Sequence, residues 1–204
     1  VVDQKNAELM AARASFAARL ESVSNAVSQA AEVLAPGAAG QPWSETIPGV
    51  PVRPATYVRF GLTQTGAPAL APLLEHAGWA LRGEESTVVD LIRQVALRVT
   101  AQIPLRFLRI RVYDPRIEGA LGWLSELRDA NPPSYPPPAH SAEDLRAAIA
   151  DVTGLASAAA EQINARHVRT LGELWVDEGR PIHPYTLLVL FAYPLGVDEA
   201  TQSA

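Results

Sequence analysis

The run Pro184-Tyr185-Thr186-Leu187-Leu188-Val189-Leu190-Phe191 decides how this 204-residue chain is read. From Thr186 to Phe191 it is apolar apart from one threonine and has no in–out alternation. That pattern predicts a strand covered on both faces, as in the middle of a parallel sheet. A second strand is predicted over Leu105–Tyr113, with Leu108, Ile110 and Val112 on one face, arginines on the other and Asp114-Pro115 closing it. Before that strand, residues 86–103 read as a helix with Val89, Ile92, Val95, Ala96 and Val99 on one face and Arg93 and Arg98 pointing elsewhere. Pro104 ends it. Between the two strands the pattern gives a short helix at about 118–127 and a proline-rich loop from Pro132 to Pro138. A long helix then runs from Ser141 to about His167, weakened at Gly154, with Asp144 completing a capping-box-like start. A short helix over Leu171–Trp175 leads into the apolar run. Upstream, Tyr57–Leu62 alternates as a strand and Ala77–Leu81 is a short candidate strand. Strands alternating with helices of these lengths imply a parallel α/β domain with right-handed crossovers.

Residues 1–34 differ in kind. Leu9, Phe16, Leu20, Val23, Val27, Ala30 and Leu34 recur at spacings of three and four, with Arg13 filling the one gap, and no proline or glycine occurs before Pro36. This is a heptad-like amphipathic helix that needs a partner helix or a core to bury its stripe. It either lies on its own domain or forms a coiled coil through self-association or another chain. Residues 35–56 are dense in proline and glycine, which forbids a helix and marks a linker or extended arm that Trp43 can pin to a surface. The organisation expected is therefore a helix over 1–34, a linker over 35–56 and an α/β domain over 57–204. Both ends read as cuts within a longer chain, since Val1 already lies inside a helical pattern and Val197–Ala204 reads as the first turns of another helix.

The apolar fraction of 48% and charged fraction of 19% are those of a globular protein able to bury a core. A net charge of −5 argues against a nucleic-acid surface over the whole chain while allowing a local basic patch. Without cysteine there are no disulfides, thiolate nucleophiles or Cys-based zinc sites, which fits a cytoplasmic protein. No apolar run is long enough to span a membrane, and no secretory leader pattern opens the chain.

Chemistry-bearing residues are few. The histidines at 76, 140, 167 and 183 are isolated from carboxylates at ligand spacing, so no metal site is expected. Asp114 stands at the carboxyl end of a strand, where α/β sheets place their sites, but Asp-Pro after a strand is also an ordinary turn. Trp79-Ala80-Leu81-Arg82-Gly83-Glu84-Glu85-Ser86-Thr87 occupies the position of a phosphate-binding loop: strand, polar loop with a glycine, then Ser-Thr opening a helix. Such a loop needs backbone N–H groups free to wrap phosphate, a lysine and a hydroxyl for Mg²⁺. Ser86 or Thr87 supplies a hydroxyl or simply caps the helix. The lysine is missing, and Glu84 and Glu85 stand where phosphate would lie and would repel it.

Taken in order, these pieces resemble the motor core of FtsK/SpoIIIE-like DNA-translocating ATPases. Arg82–Thr87 and the helix to Pro104 look like the family's P-loop and following helix. Arg109-Ile110-Arg111-Val112-Tyr113-Asp114-Pro115 with Gly119 is similar to its second strand and turn, and Asn164–Gly196 to the stretch ending in its Walker B strand. The resemblance covers roughly residues 57–200 and implies a P-loop-NTPase-like, RecA-like core. Where the family's Walker B strand is followed by Asp-Glu, this chain has Phe191 and Ala192. Loss of the lysine and both acids removes phosphate neutralisation, metal ligation and water activation together. The resemblance therefore implies a degenerate module placed ahead of an intact motor, with ATP, Mg²⁺ and DNA handled by the parent protein and no cofactor in this piece. Gly83, Glu84, Glu85, Ser86, Thr87, Asp114, Phe191 and Ala192 are then the remnants of a nucleotide site. Two further readings stand beside it. One is an active nucleotide site of unusual form around Asp114 and Ser86. The other is direct DNA contact through the basic window that holds Arg82, Arg93, Arg98, Arg106, Arg109, Arg111 and Arg116. Arg93, Arg98, Arg109 and Arg111 are its first candidates, although Arg106 and Arg109 cannot share a face of one regular strand.

Overall fold

A computed structural model of the chain describes residues 2–44, 54–74, 78–194 and 197. The expected helix start over 197–204, residues 45–53 of the linker and Ala77 of the candidate strand lie outside the described residues, Val197 excepted. Helices and strands are mixed, and two compact units are distinguished: Val1–Pro48 with Ala55–Gly78, and Gly49–Pro54 with Trp79–Ala204.

The first unit holds helix α1 (Val2–Leu34) and an antiparallel hairpin of β1 (Tyr57–Leu62) and β2 (Pro68–Pro72). The hairpin was not expected, because Pro68-Ala69-Leu70-Ala71-Pro72 contains no β-branched or aromatic residue. The tight link closes through Thr63 N–H to the Ala67 carbonyl (2.8 Å), and a register shift between Arg59 and Gly61 bends β1. Leu70 and Tyr57 pack on Ala35, Ala39 and Ala55, at the carboxyl end of α1. The hairpin thus belongs with α1, where the sequence reading placed β1 in the α/β domain. A 3₁₀ turn, Gly37–Ala39, interrupts the expected linker and buries Ala38 and Ala39.

The second unit is built on β3 (Leu108–Tyr113) and β4 (Tyr185–Leu190), paired in parallel from Leu108 opposite Tyr185 to Tyr113 opposite Leu190. β3 is preceded by α2 (Glu85–Gln102), and α3 (Leu124–Ala130), α4 (Ala142–Ala165) and α5 (Leu171–Glu178) connect the two strands. Residues 105–107, expected at the start of β3, form a 3₁₀ turn directly after Pro104. The expected strand at Ala77–Leu81 is absent over 78–81, and the expected helix at 118–127 lies instead at Leu124–Ala130. Ser141 and Asp144 make the reciprocal capping box that opens α4: Ser141 Oγ accepts from Asp144 N–H (3.1 Å), and Asp144 Oδ2 accepts from Ser141 N–H (3.2 Å). Gly154 does not break that helix. Thr170 caps α5, which runs three residues past the expected Trp175, to a left-handed Gly179.

The parallel sheet has two strands among the described residues, and β4 is only half covered: Tyr185 and Val189 are buried, whereas its other residues are intermediate. The two-sided burial expected for β4 belongs to β3, in which Leu108, Ile110, Arg111, Val112 and Tyr113 are all buried. The second edge of β3 is covered by the proline-rich segment. Ile110 N–H donates to the Ser134 carbonyl (3.0 Å), Ala139 N–H to Val112 (2.8 Å) and Asp114 N–H to Ala139 (2.9 Å). Pro136, Pro137 and Pro138 have no N–H to give, so the segment follows the strand without becoming one. Tyr135 is fully buried there, its hydroxyl donating to the Leu105 carbonyl (3.3 Å), and burial pushes that hydroxyl up to about 12.

Candidate functional site

The positions singled out in the sequence for a nucleotide site gather at one end of the second unit. α2 runs down to the start of β3, so the α2 amino terminus stands by the carboxyl end of the parallel pair, the usual location of α/β sites. Two contacts fix this: Arg93 Nε donates to the Ala120 carbonyl (2.7 Å), and Arg116 pairs with Glu85 (3.1 Å). At the same end Phe191 N–H continues the ladder to the Tyr113 carbonyl (2.9 Å). Gly83 through Thr87, Asp114 and Phe191 with Ala192 are therefore brought to one end of the fold.

The helix start itself is closed by the chain's own carboxylate. Glu84, not Ser86 or Thr87, is the N-cap of α2. Its side chain accepts from the backbone N–H groups of Ser86 (3.1 Å) and Thr87 (3.0 Å), and from the hydroxyls of Ser86 (2.6 Å) and Thr87 (2.7 Å). These four hydrogen bonds, the hydroxyl ones foremost, lower the Glu84 carboxyl from 4.5 to about 2. The donors that a phosphate needs at a helix amino terminus are the ones Glu84 takes. Gly83 has no left-handed backbone, and a Cβ there would meet only Val88 at ordinary contact distance, so no phosphate-cradling turn is built around it. The residues present do not fit a nucleotide with Mg²⁺.

Asp114 is similarly committed. It is buried, and its carboxylate accepts from the N–H groups of Glu118 (3.2 Å) and Gly119 (2.9 Å), pinning the loop in which Gly119 turns with φ +67°. His140 Nδ1 lies 2.6 Å from the Asp114 carbonyl oxygen. The Asp114 side chain thus closes a turn, in agreement with the Asp-Pro reading. Phe191 is buried and Ala192 has φ 54°, so an apolar plug and a tight turn follow β4 where the resembling family has two acids.

The four candidate arginines separate. Arg98, expected to point away from the buried face of α2, is instead on it with Val95, Val99 and Gln102, because positions 95, 98, 99 and 102 form one stripe. Arg111 is buried too, bound to Asp151 (2.6 Å) and to the carbonyls of Ser134 and Pro133 (3.2 Å each). Burial removes both from any surface that DNA could reach. Arg93 is exposed and also pairs with Asp90 (3.0 Å), while Arg109 is half-buried. The sequence signal missed at Arg111 was its 40-residue separation from Asp151, which no local pattern encodes.

Among the described residues no group of three histidine or acidic side chains is placed to hold a metal ion, and no helix is long and apolar enough to cross a membrane. Comparison with family models, with curated proteins and with solved structures gives no match.

Proposed function

We propose that this chain is a non-catalytic structural module, a degenerate relative of the FtsK/SpoIIIE-like motor core, used for oligomerisation or for placing DNA in a larger ATP-driven translocase. The parallel pair β3–β4 with α2 is the part of a RecA-like core on which this rests, and the remaining strands of such a core are part of the proposal. The observation that carries it is Glu84: its carboxylate consumes the backbone donors and hydroxyls that a P-loop offers to phosphate. An atypical nucleotide site is disfavoured by the commitment of Asp114 to its own turn, and direct DNA reading by the burial of Arg98 and Arg111.

The test is calorimetric titration of the chain with ATP and Mg²⁺ beside a hydrolysis assay. Absence of binding and turnover is expected. Micromolar binding that Ser86→Ala abolishes sinks the proposal and makes the α2 start a working site.

A further inference from the structure

The apolar row on α1 is the largest feature that neither unit absorbs. Leu9, Phe16, Leu20, Val23, Val27 and Leu34 remain 39% to 67% exposed along one face of the helix. A row this long in water marks an interaction surface. Ala31, the buried residue of the helix, lies beside this row rather than on it, and the hairpin packs on Ala35, Ala39 and Ala55, which follow the helix, so the row stays open.

We infer that α1 pairs with α1 of a second copy in antiparallel orientation, centred between Glu21 and Ser22. This rests on the oligomerisation half of the proposed function. Two features of the row select the copy and the direction. The first is charge. From Leu9 to Leu20 the helix carries Arg13 and Arg19 and no acid; from Glu21 to Leu34 it carries Glu21 and Glu32 and no base. Antiparallel overlay lays the basic half along the acidic half of the other copy, whereas parallel overlay stacks Arg13 on Arg13 inside the seam. The second is volume. With the centre placed there, the seam layers are Leu9 with Leu34, Arg13 with Ala30, Phe16 with Val27, and Leu20 with Val23 of the second copy. Each of the three inner layers sets the larger side chain of one copy against a smaller one of the other, and Ala30 leaves the Arg13 stem room to reach water. Parallel pairing would instead put Phe16 on Phe16 and leave a gap at Ala30 on Ala30.

The chain has no cysteine, so introduced ones report cleanly. Light scattering on the purified chain is expected to give twice its 21.8 kDa mass, and Phe16→Asp to halve that value. Leu9→Cys mixed with Leu34→Cys should oxidise to a covalent dimer, while Leu9→Cys alone should not. In antiparallel pairs the two copies of residue 9 stand about 37 Å apart at about 1.5 Å per residue. Rapid cross-linking of Leu9→Cys alone makes the pairing parallel and overturns the inference, as does a monomer mass at the highest soluble concentration. A monomer that binds no nucleotide overturns the pairing but leaves the closed site standing; a dimer that binds ATP does the reverse.

Discussion

Glu84 is the residue on which the functional reading turns, and its titration is the sharpest handle on it. Its folded value of about 2 lies below the ordinary 4.5. The hydrogen-bond network therefore contributes stability that is fully present above pH 4.5 and is lost as pH falls through about 2. Following the Glu84 side-chain carboxyl carbon by NMR should give a midpoint near 2, rising towards 4.5 when Ser86 and Thr87 are both replaced by alanine. A wild-type midpoint near 4.5 means the four hydrogen bonds do not persist in solution. Arg111 makes a second residue-scale prediction. Arg111→Ala strips the Pro133 carbonyl and Asp151 of their Arg111 donors and leaves the Ser134 carbonyl with Ile110 N–H alone, so a loss of roughly 3 kcal/mol is expected in urea unfolding. A loss below about 0.5 kcal/mol, the size of an exposed pair, would show that water already fills that role. The local alphabet made Ser141 and Asp144 legible as a capping pair, but it concealed Glu84. Glutamate is not among the favoured N-cap residues, and Ser86 and Thr87 a few positions on drew the reading to themselves.

Elements with a strong period or an unbroken apolar run were legible to within a residue or two. The helix expected at 86–103 is found at Glu85–Gln102, and the strand expected at 186–191 at Tyr185–Leu190. Short elements lacking both were not: β2 is five residues bounded by prolines, and Ala77–Leu81 was short enough to pass for a strand that is absent over 78–81. The element whose role only the fold reveals is the proline-rich segment. Its sequence says that it forms no regular structure, and says nothing of the strand edge that it covers. Edge coverage matters because an open edge on β3 would leave backbone groups of Ile110, Val112 and Asp114 unpaired in a buried strand. Ala139→Pro deletes the N–H that bonds the Val112 carbonyl and should cost about 1–3 kcal/mol. Hydrogen exchange at the Asp114 amide should quicken with it. Unchanged exchange there would mean that residues 134–139 rest on the strand without being held by it.

At the scale of the molecule, the mixture of helix and strand behind a leading helix was legible; the sequence reading divides the chain after residues 34 and 56, and the compact units group Ala55–Gly78 with Val1–Pro48. The reason is physical: the hairpin closes on Ala35, Ala39 and Ala55, small residues in a stretch that reads as linker, and contacts among alanines leave no periodic trace. Such a core is also weak. The first unit buries mostly alanines with Val58 and Leu74, whereas the second buries Ile103, Leu108, Ile110, Leu145, Leu174, Trp175 and Tyr135. Since stabilisation scales with the apolar area removed from water, the first unit should open at lower denaturant, with amides of β1 and β2 exchanging before those of β3. Pairing of α1 with a second copy adds a mass-action term to the first unit alone. Unfolding followed by exchange mass spectrometry should therefore show a first-unit transition that moves to higher denaturant as protein concentration rises, while the second-unit transition stays fixed. In Phe16→Asp the first transition should lose its concentration dependence and the second should not move. If both transitions shift together with concentration, association involves the second unit too, and the α1 seam is not its sole seat.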